Sequence, residues 1–214
     1  MESTQFDKSV FFGKVTASVA HDLQNVLAVV KETSGLMQDI LQINQNALPP
    51  EIAEKLTKSI SSVQKQISRG VRITSGLNGF AHTADSPKEN IDIIGVLNRT
   101  IFLTQRIFLH QGINIEIEDC DILPTILTDP LIFQMLIFNS IQYLGGLAAK
   151  QSILNILVKN KTDINININR STNNTTDSSE QQEMWQSLLQ TCEKMNAEIN
   201  FSKSPVVLSL EFSS

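Results

Sequence analysis

The feature that most constrains this chain is an apolar row at three- or four-residue steps between Val15 and Phe80, broken from Ile40 to Ile52 and again from Val71 to Leu77. Val15, Val19, Leu23, Val26, Val30, Thr33, Met37 and Ile40 fall on one stripe of a helix. Ile52, Leu56, Ile60, Val63, Ile67 and Val71, then Leu77 and Phe80, do the same on a second helix, in steps of mostly four and three that come close to a coiled-coil seam. Between them lies Ala47-Leu48-Pro49-Pro50. Proline cannot continue a helix but suits the first position of the next one. The first helix is expected to begin near Thr4 to Phe6 and to run to about Asn46. Two long helices joined by a short loop form an antiparallel hairpin. A lone hairpin leaves part of its apolar surface uncovered. Pairing two hairpins into a four-helix bundle covers it, so the expectation is a homodimer.

His21 lies off that row. Its neighbours at helical spacing are Ala17, Gln24, Asn25 and Ala28, all small or polar. The imidazole is therefore predicted to stand on an accessible patch. Asp22 follows it directly and Asn25 comes four positions on. An acid beside a histidine can bind one ring nitrogen, fix the tautomer and leave the other nitrogen as nucleophile. His82 and His110 are read as helix-terminal residues favoured by the helix dipole, and Phe102, Phe108, Phe133 and Phe138 as core.

The rest of the chain is mixed. The polar stretch Thr83 to Asn90, with Pro87, reads as a linker, centred on 85–90, between a hairpin domain at 1–84 and a second domain at 91–214. Ile91 to Ile93 reads as a short strand and Ile94 to Gln111 as a helix. Ile113 to Ile117 alternates strictly, as a half-buried strand does. Thr125 to Leu127 is another strand. Asp129-Pro130 opens an apolar helix to about Leu147, with the acid as cap. Ser152 to Val158 and Asp163 to Asn169 read as two strands. Ser171 to Ser179 is polar and expected to be mobile. Glu180 to Asn196 is a helix, and Ala197 to Phe201 and Pro205 to Phe212 close the pattern as strands. The fold class is α+β: a long helical hairpin, then a small α/β sandwich with its helices on one face.

Composition narrows the function. The net charge of -5 argues against a general nucleic-acid surface. Cys120 and Cys192 lie too far apart in sequence to suggest a disulfide framework or a zinc site. No apolar run reaches the ~18 residues of a bilayer span, and the first residues lack a signal-peptide layout. The expectation is a cytoplasmic protein without a membrane segment.

Ala17 to Asn25 resembles the phosphoacceptor box of sensor histidine kinases, in which a histidine is followed by an acid and, four residues on, by asparagine or threonine. The order downstream is similar too: a hairpin ending in Phe80-Ala81, a linker, strand–helix–strand, then Asp129-Pro130 opening an apolar helix with Gln134. The resemblance implies a dimerisation hairpin followed by a Bergerat-type ATPase domain. The nucleotide boxes depart from the family. Gln142 or Tyr143 stands where the family has an asparagine for magnesium and phosphates, and Tyr143 adds bulk where the nucleotide would lie. Asn169 to Asn174 contains no Asp-x-Gly-x-Gly turn, and all nine glycines lie at or before Gly146. Loops that cradle phosphates need glycine. The segment before the last helix is also too short for a lid.

An acceptor without a donor resembles the histidine phosphotransferases of phosphorelays, which carry a phosphoryl group between response-regulator receiver domains. That resemblance implies His21 as phosphoacceptor, Asp22 orienting it, and Asn25 orienting a water. Receiver docking would use Gln24, Ala28, Lys31 and Glu32, helped by the second helix. No cofactor belongs to this chain; Mg²⁺ would come with the receiver. Val26, where many kinases have proline, implies a straighter helix. Two alternatives stand beside this reading: a divergent sensor kinase that autophosphorylates His21 from ATP, and a non-catalytic dimeric scaffold.

Overall fold

The computed structural model describes residues 3–84, 88–118, 124–159, 163–169, 179–203 and 205–212. The chain divides into two compact units, Met1–His82 and Thr83–Ser214.

The first unit is an antiparallel hairpin of α1 (Ser3–Ile43) and α2 (Pro50–Ala81), joined through a 3-10 turn at Gln45–Ala47. Pro49 caps α2 at φ -56° and Pro50 opens it, where a missing N–H costs nothing. The helices meet along a narrow stripe of mostly small residues at seven-residue steps. Ala20 and Ser34 are buried on α1, and Ile67, Thr74 and Ala81 on α2. Leu27 lies over Gly70, where an added Cβ would come within 3.0 Å of its Cδ1. The hydroxyls in this stripe return to their own helix, Ser34 Oγ to the Lys31 carbonyl at 2.9 Å and Thr74 Oγ1 to the Gly70 carbonyl at 3.1 Å. Polar bonds also cross the hairpin: Gln24 Nε2 donates to Ser75 Oγ at 3.2 Å, and Gln64 Nε2 to Gln38 Oε1 at 2.8 Å.

The large apolar row lies elsewhere. Val19, Leu23, Val26, Val30, Met37 and Ile40 are all exposed on α1, as are Ile52, Leu56, Val63 and Phe80 on α2. Apart from Ile67, which is buried in the hairpin contact, the long periodic row mainly marks a second stripe beside it. Small residues let two backbones approach closely, so the hairpin closes on Ala20, Ser34 and Gly70 and leaves the broader side chains uncovered.

The second unit holds the remaining elements. The strands are β1 (Glu89–Asp92), β2 (Ile113–Ile117), β3 (Thr125–Thr128), β4 (Ser152–Lys159), β5 (Asp163–Ile168), β6 (Ala197–Lys203) and β7 (Val206–Phe212), and the helices are α3 (Ile93–His110), α4 (Pro130–Gly145) and α5 (Ser179–Met195). The main sheet has the order β2-β4-β5-β7-β6, with β2 parallel to β4 and the other pairs antiparallel. Strand alternation sends Leu154, Ile156, Ile164, Ile166, Leu208 and Leu210 into the core. Asn155, Asn165 and Asn167 take the opposite face, where Ser209 Oγ bonds Asn165 Oδ1 at 2.6 Å. This is the expected α+β arrangement. One detail differs: β1 starts at Glu89, inside the stretch read as linker, because β3 supplies Glu89 and Asn90 with ladder partners in Thr128 and Leu127. Cys120 and residues 171–178, read as mobile, lie outside the described residues.

α4 is the central helix. The Asp129 carboxylate accepts from the Leu131 and Ile132 N–H groups at 2.9 and 3.0 Å, and Pro130 follows. Phe133, Leu136, Ile137, Ile141 and Leu144 are completely buried. Gln134 is buried with them, and neither polar atom of its amide has a partner among the described residues. Such a group costs about 1–3 kcal/mol. Gly112 ends the turn after α3 at φ 76°, and Asn196 the turn after α5 at φ 51°, a conformation asparagine tolerates better than most residues.

Cys192 on α5 is buried, and desolvation pushes its thiol up from 9.0 to about 11. The folded state favours the neutral thiol. Its contribution is therefore complete below the ordinary value and is lost as pH climbs through about 11. Urea unfolding at pH 8 and pH 11 is expected to show a fall of about 2 kcal/mol from this group, with Tyr143, also raised by burial, acting in the same direction. Cys192→Ala should flatten the decline. An equally steep decline in that variant would place the titration elsewhere.

Candidate functional site

His21 stands in the regular part of α1, with its side chain 72% exposed. Two groups approach the same ring nitrogen. Asn25 Nδ2 lies 3.4 Å from His21 Nδ1, and Asp22 Oδ1 lies 3.8 Å from it. The first is a long hydrogen bond, while the second is beyond hydrogen-bonding distance. Asn25 is thus the nearer partner of the ring. Helix geometry explains it: residues one apart diverge around the axis, whereas residues four apart stack.

The other residues named from sequence are arranged along the same helix. Gln24 is half-buried and turned toward α2 by its bond to Ser75, which ties the two helices beside His21. Ala28, Lys31 and Glu32 are exposed and continue down the helix from His21 at its own spacing. Ser75 was not foreseen. Its place opposite Gln24 depends on the register of the hairpin, which periodicity does not encode. His110 ends α3 in an exposed position, and His82 caps α2, its N–H bonding the Asn78 and Phe80 carbonyls.

The second unit offers a test of whether a nucleotide would fit. On α4, Gln142 is exposed and Tyr143 is 4% exposed. The Tyr143 ring is mostly buried, with one side on a cleft. It packs into the core, 5.3 Å from Trp185 and edge-on to Phe201 at 5.5 Å. A cleft of about 710 Å³ runs beside it, lined by Tyr143 and by α5 from Ser179 to Gln190. Among its lining residues Glu183 carries the only charge, and a carboxylate repels phosphate. Gly146 lies under the Gln181 amide, the movable end of a flexible side chain. Among the described residues, no three His, Cys, Asp or Glu side chains gather as a metal would require. Nor is any described helix long and apolar enough to cross a membrane.

No protein-family model and no curated protein matches the chain. Among solved structures it is similar to the cytoplasmic segment of histidine kinase QseC, at 12% identity and a TM-score of 0.43, over 59% of this chain and 78% of that one. It is similar also to a nucleotide-free catalytic domain of histidine kinase ThkA, at 11% identity and a TM-score of 0.47, over 59% of this chain and 95% of the other. A third is the Acinetobacter baumannii histidine kinase AdeS, at 13% identity and a TM-score of 0.43, covering 84% of this chain and 93% of that one.

Proposed function

We propose that the protein is a dimeric histidine phosphotransferase, which takes a phosphoryl group onto His21 from one receiver domain and passes it to another. The observation that carries this reading is the exposed His21 ring, approached at Nδ1 by Asp22 and Asn25 on the first helix of the hairpin.

In the forward step the Nε2 lone pair attacks phosphorus. The N–P bond forms, the P–O bond of the donor's acyl phosphate breaks, and its electron pair returns to the donor carboxylate. Nε2 is nucleophilic when the ring proton sits on Nδ1, and Asp22 closing on Nδ1 would hold that proton and steady the cationic ring. In the second step a receiver aspartate oxygen attacks phosphorus, and the N–P pair returns to Nε2. Such transfers rest on positioning and charge neutralisation, so an exposed side chain on a rigid helix suffices on this side. Mg²⁺ is the receiver's to supply. Gln24, Ala28, Lys31 and Glu32 would form the docking surface.

The homodimer follows from the uncovered row. Val19, Leu23, Val26, Val30, Met37 and Ile40 form an exposed apolar stripe on α1, next to the one that α2 covers. A contiguous apolar face of this kind marks an interface, and a second copy presents its match by symmetry.

Incubation with a phosphorylated receiver tests the proposal. Label is expected on the parent protein and none on His21→Ala, with helicity unchanged. Equal labelling of both would sink the assignment. A rise in melting temperature with Mg-ATP would instead favour the divergent kinase, and docking of the phosphorylated receiver without transfer would favour the scaffold.

A further inference from the structure

The two neighbours of His21 Nδ1 make incompatible demands. Asn25 Nδ2, at 3.4 Å, is a donor, and Nδ1 can accept from it only with a free lone pair. In a neutral ring the proton then sits on Nε2, which has no lone pair left for attack. Asp22 Oδ1, at 3.8 Å, is an acceptor. If it closes on Nδ1 it needs an N–H there, and Nε2 becomes the nucleophile. Both side chains reach one nitrogen, so only one can hold it at a time.

We propose that Asn25 is a positioning residue that holds His21 in a resting tautomer, and that exchange of Nδ1 from Asn25 to Asp22 switches the ring to its nucleophilic form. The inference rests on His21 being the phosphoacceptor. It goes beyond that reading by giving Asn25 a restraining role on the ring itself, apart from any contact with water.

The same exchange governs the phosphorylated ring. With phosphorus on Nε2, the N–P bond breaks more readily when Nδ1 carries a proton, because the leaving group is then a neutral imidazole and not an imidazolate. Asp22 favours that proton. The Asn25 amide occupies the lone pair that would receive it. Asn25 thus lengthens the life of phosphohistidine, and a receiver that draws Asn25 away on docking would release the phosphoryl group at the moment it can be taken. No atom is gained or lost in the switch, only the position of one proton, exchanged through solvent at an exposed ring.

The residue lies in the interior of α1 and is exposed, and alanine there suits the helix better than asparagine. Fold loss therefore does not confound the test. Long-range ¹H–¹⁵N correlation spectra of protein carrying ¹⁵N-histidine report the tautomer of His21 without any phosphotransfer. Asn25→Ala is expected to raise the Nδ1–H population several-fold, and Asp22→Asn added to it should return the ring toward the parent state. An unchanged tautomer in Asn25→Ala overturns the proposal. So does a fall in Nδ1–H, which would mean that the amide presents its oxygen to the ring.

Phosphoramidate, a small phosphodonor, then separates this inference from the relay. Labelling of the parent but not of His21→Ala shows an acceptor independent of any receiver. Loss of that label at pH 8 should be several-fold faster in Asn25→Ala than in the parent. Equal rates would overturn the proposal while leaving the acceptor reading intact; no labelling of His21 at all would remove its foundation, whatever the spectra show.

Discussion

Replacing Val30 and Met37 with glutamate is expected to leave the chain monomeric. Both belong to the uncovered row of α1, at 41% and 55% exposure in the single chain. Two copies paired through that row would bury it, and each dimer would then carry four new carboxylates in an apolar seam. Burying even partly solvated charges costs several kcal/mol. A total loss of about 4 kcal/mol or more raises the dissociation constant roughly a thousandfold. Light scattering at micromolar concentration reads the result directly. The parent should run as a dimer and the variant at half its mass. A variant that stays dimeric would show that two copies pair through some other face, and a monomeric parent would remove the dimer altogether.

The second large effect is confined to the other unit. Tyr143→Ala is expected to destabilise it by about 3–5 kcal/mol, a large share of the stability of a small domain. Tyr143 is 4% exposed and lies between Trp185 of α5 and Phe201 of β6, so its loss opens a cavity and breaks two aromatic contacts. Trp185 is the sole tryptophan, so its emission follows this unit and not the hairpin. In urea the fluorescence midpoint should fall sharply in Tyr143→Ala and only slightly in Tyr143→Phe, which keeps the ring. If both variants match the parent, the aromatic cluster is not what fixes α5 to α4.

The hairpin was legible because its signals are local. Pro49-Pro50 stops one helix and starts the next, and apolar spacing marks each helix along its length. What spacing could not show is which of two adjoining stripes faces the partner helix. Ala20, Ser34 and Thr74 look unremarkable in sequence, yet they line the hairpin contact, because closeness of approach favours small side chains. In the second unit the strict alternation of Ile113 to Ile117 and of β5 gave the strands directly. Their order did not follow from the pattern: the β1–β3 pair stands apart from the main sheet, and nothing in either short strand says so. At the candidate site, His21 was distinguished by its small and polar neighbours. The nearer approach of Asn25 than of Asp22 follows from helix geometry, but the Gln24–Ser75 bond depends on register and was out of reach.

β2 and β4 lie side by side and parallel, although β3 and α4 intervene between them along the chain. No tight turn can join such a pair, so a long loop must close before the sheet exists. α1 and α2, by contrast, meet across a short turn. On a ribosome the hairpin is finished early, while the sheet waits for strands not yet synthesised. The uncovered row on α1 is thus complete before the last strands of the second unit are synthesised.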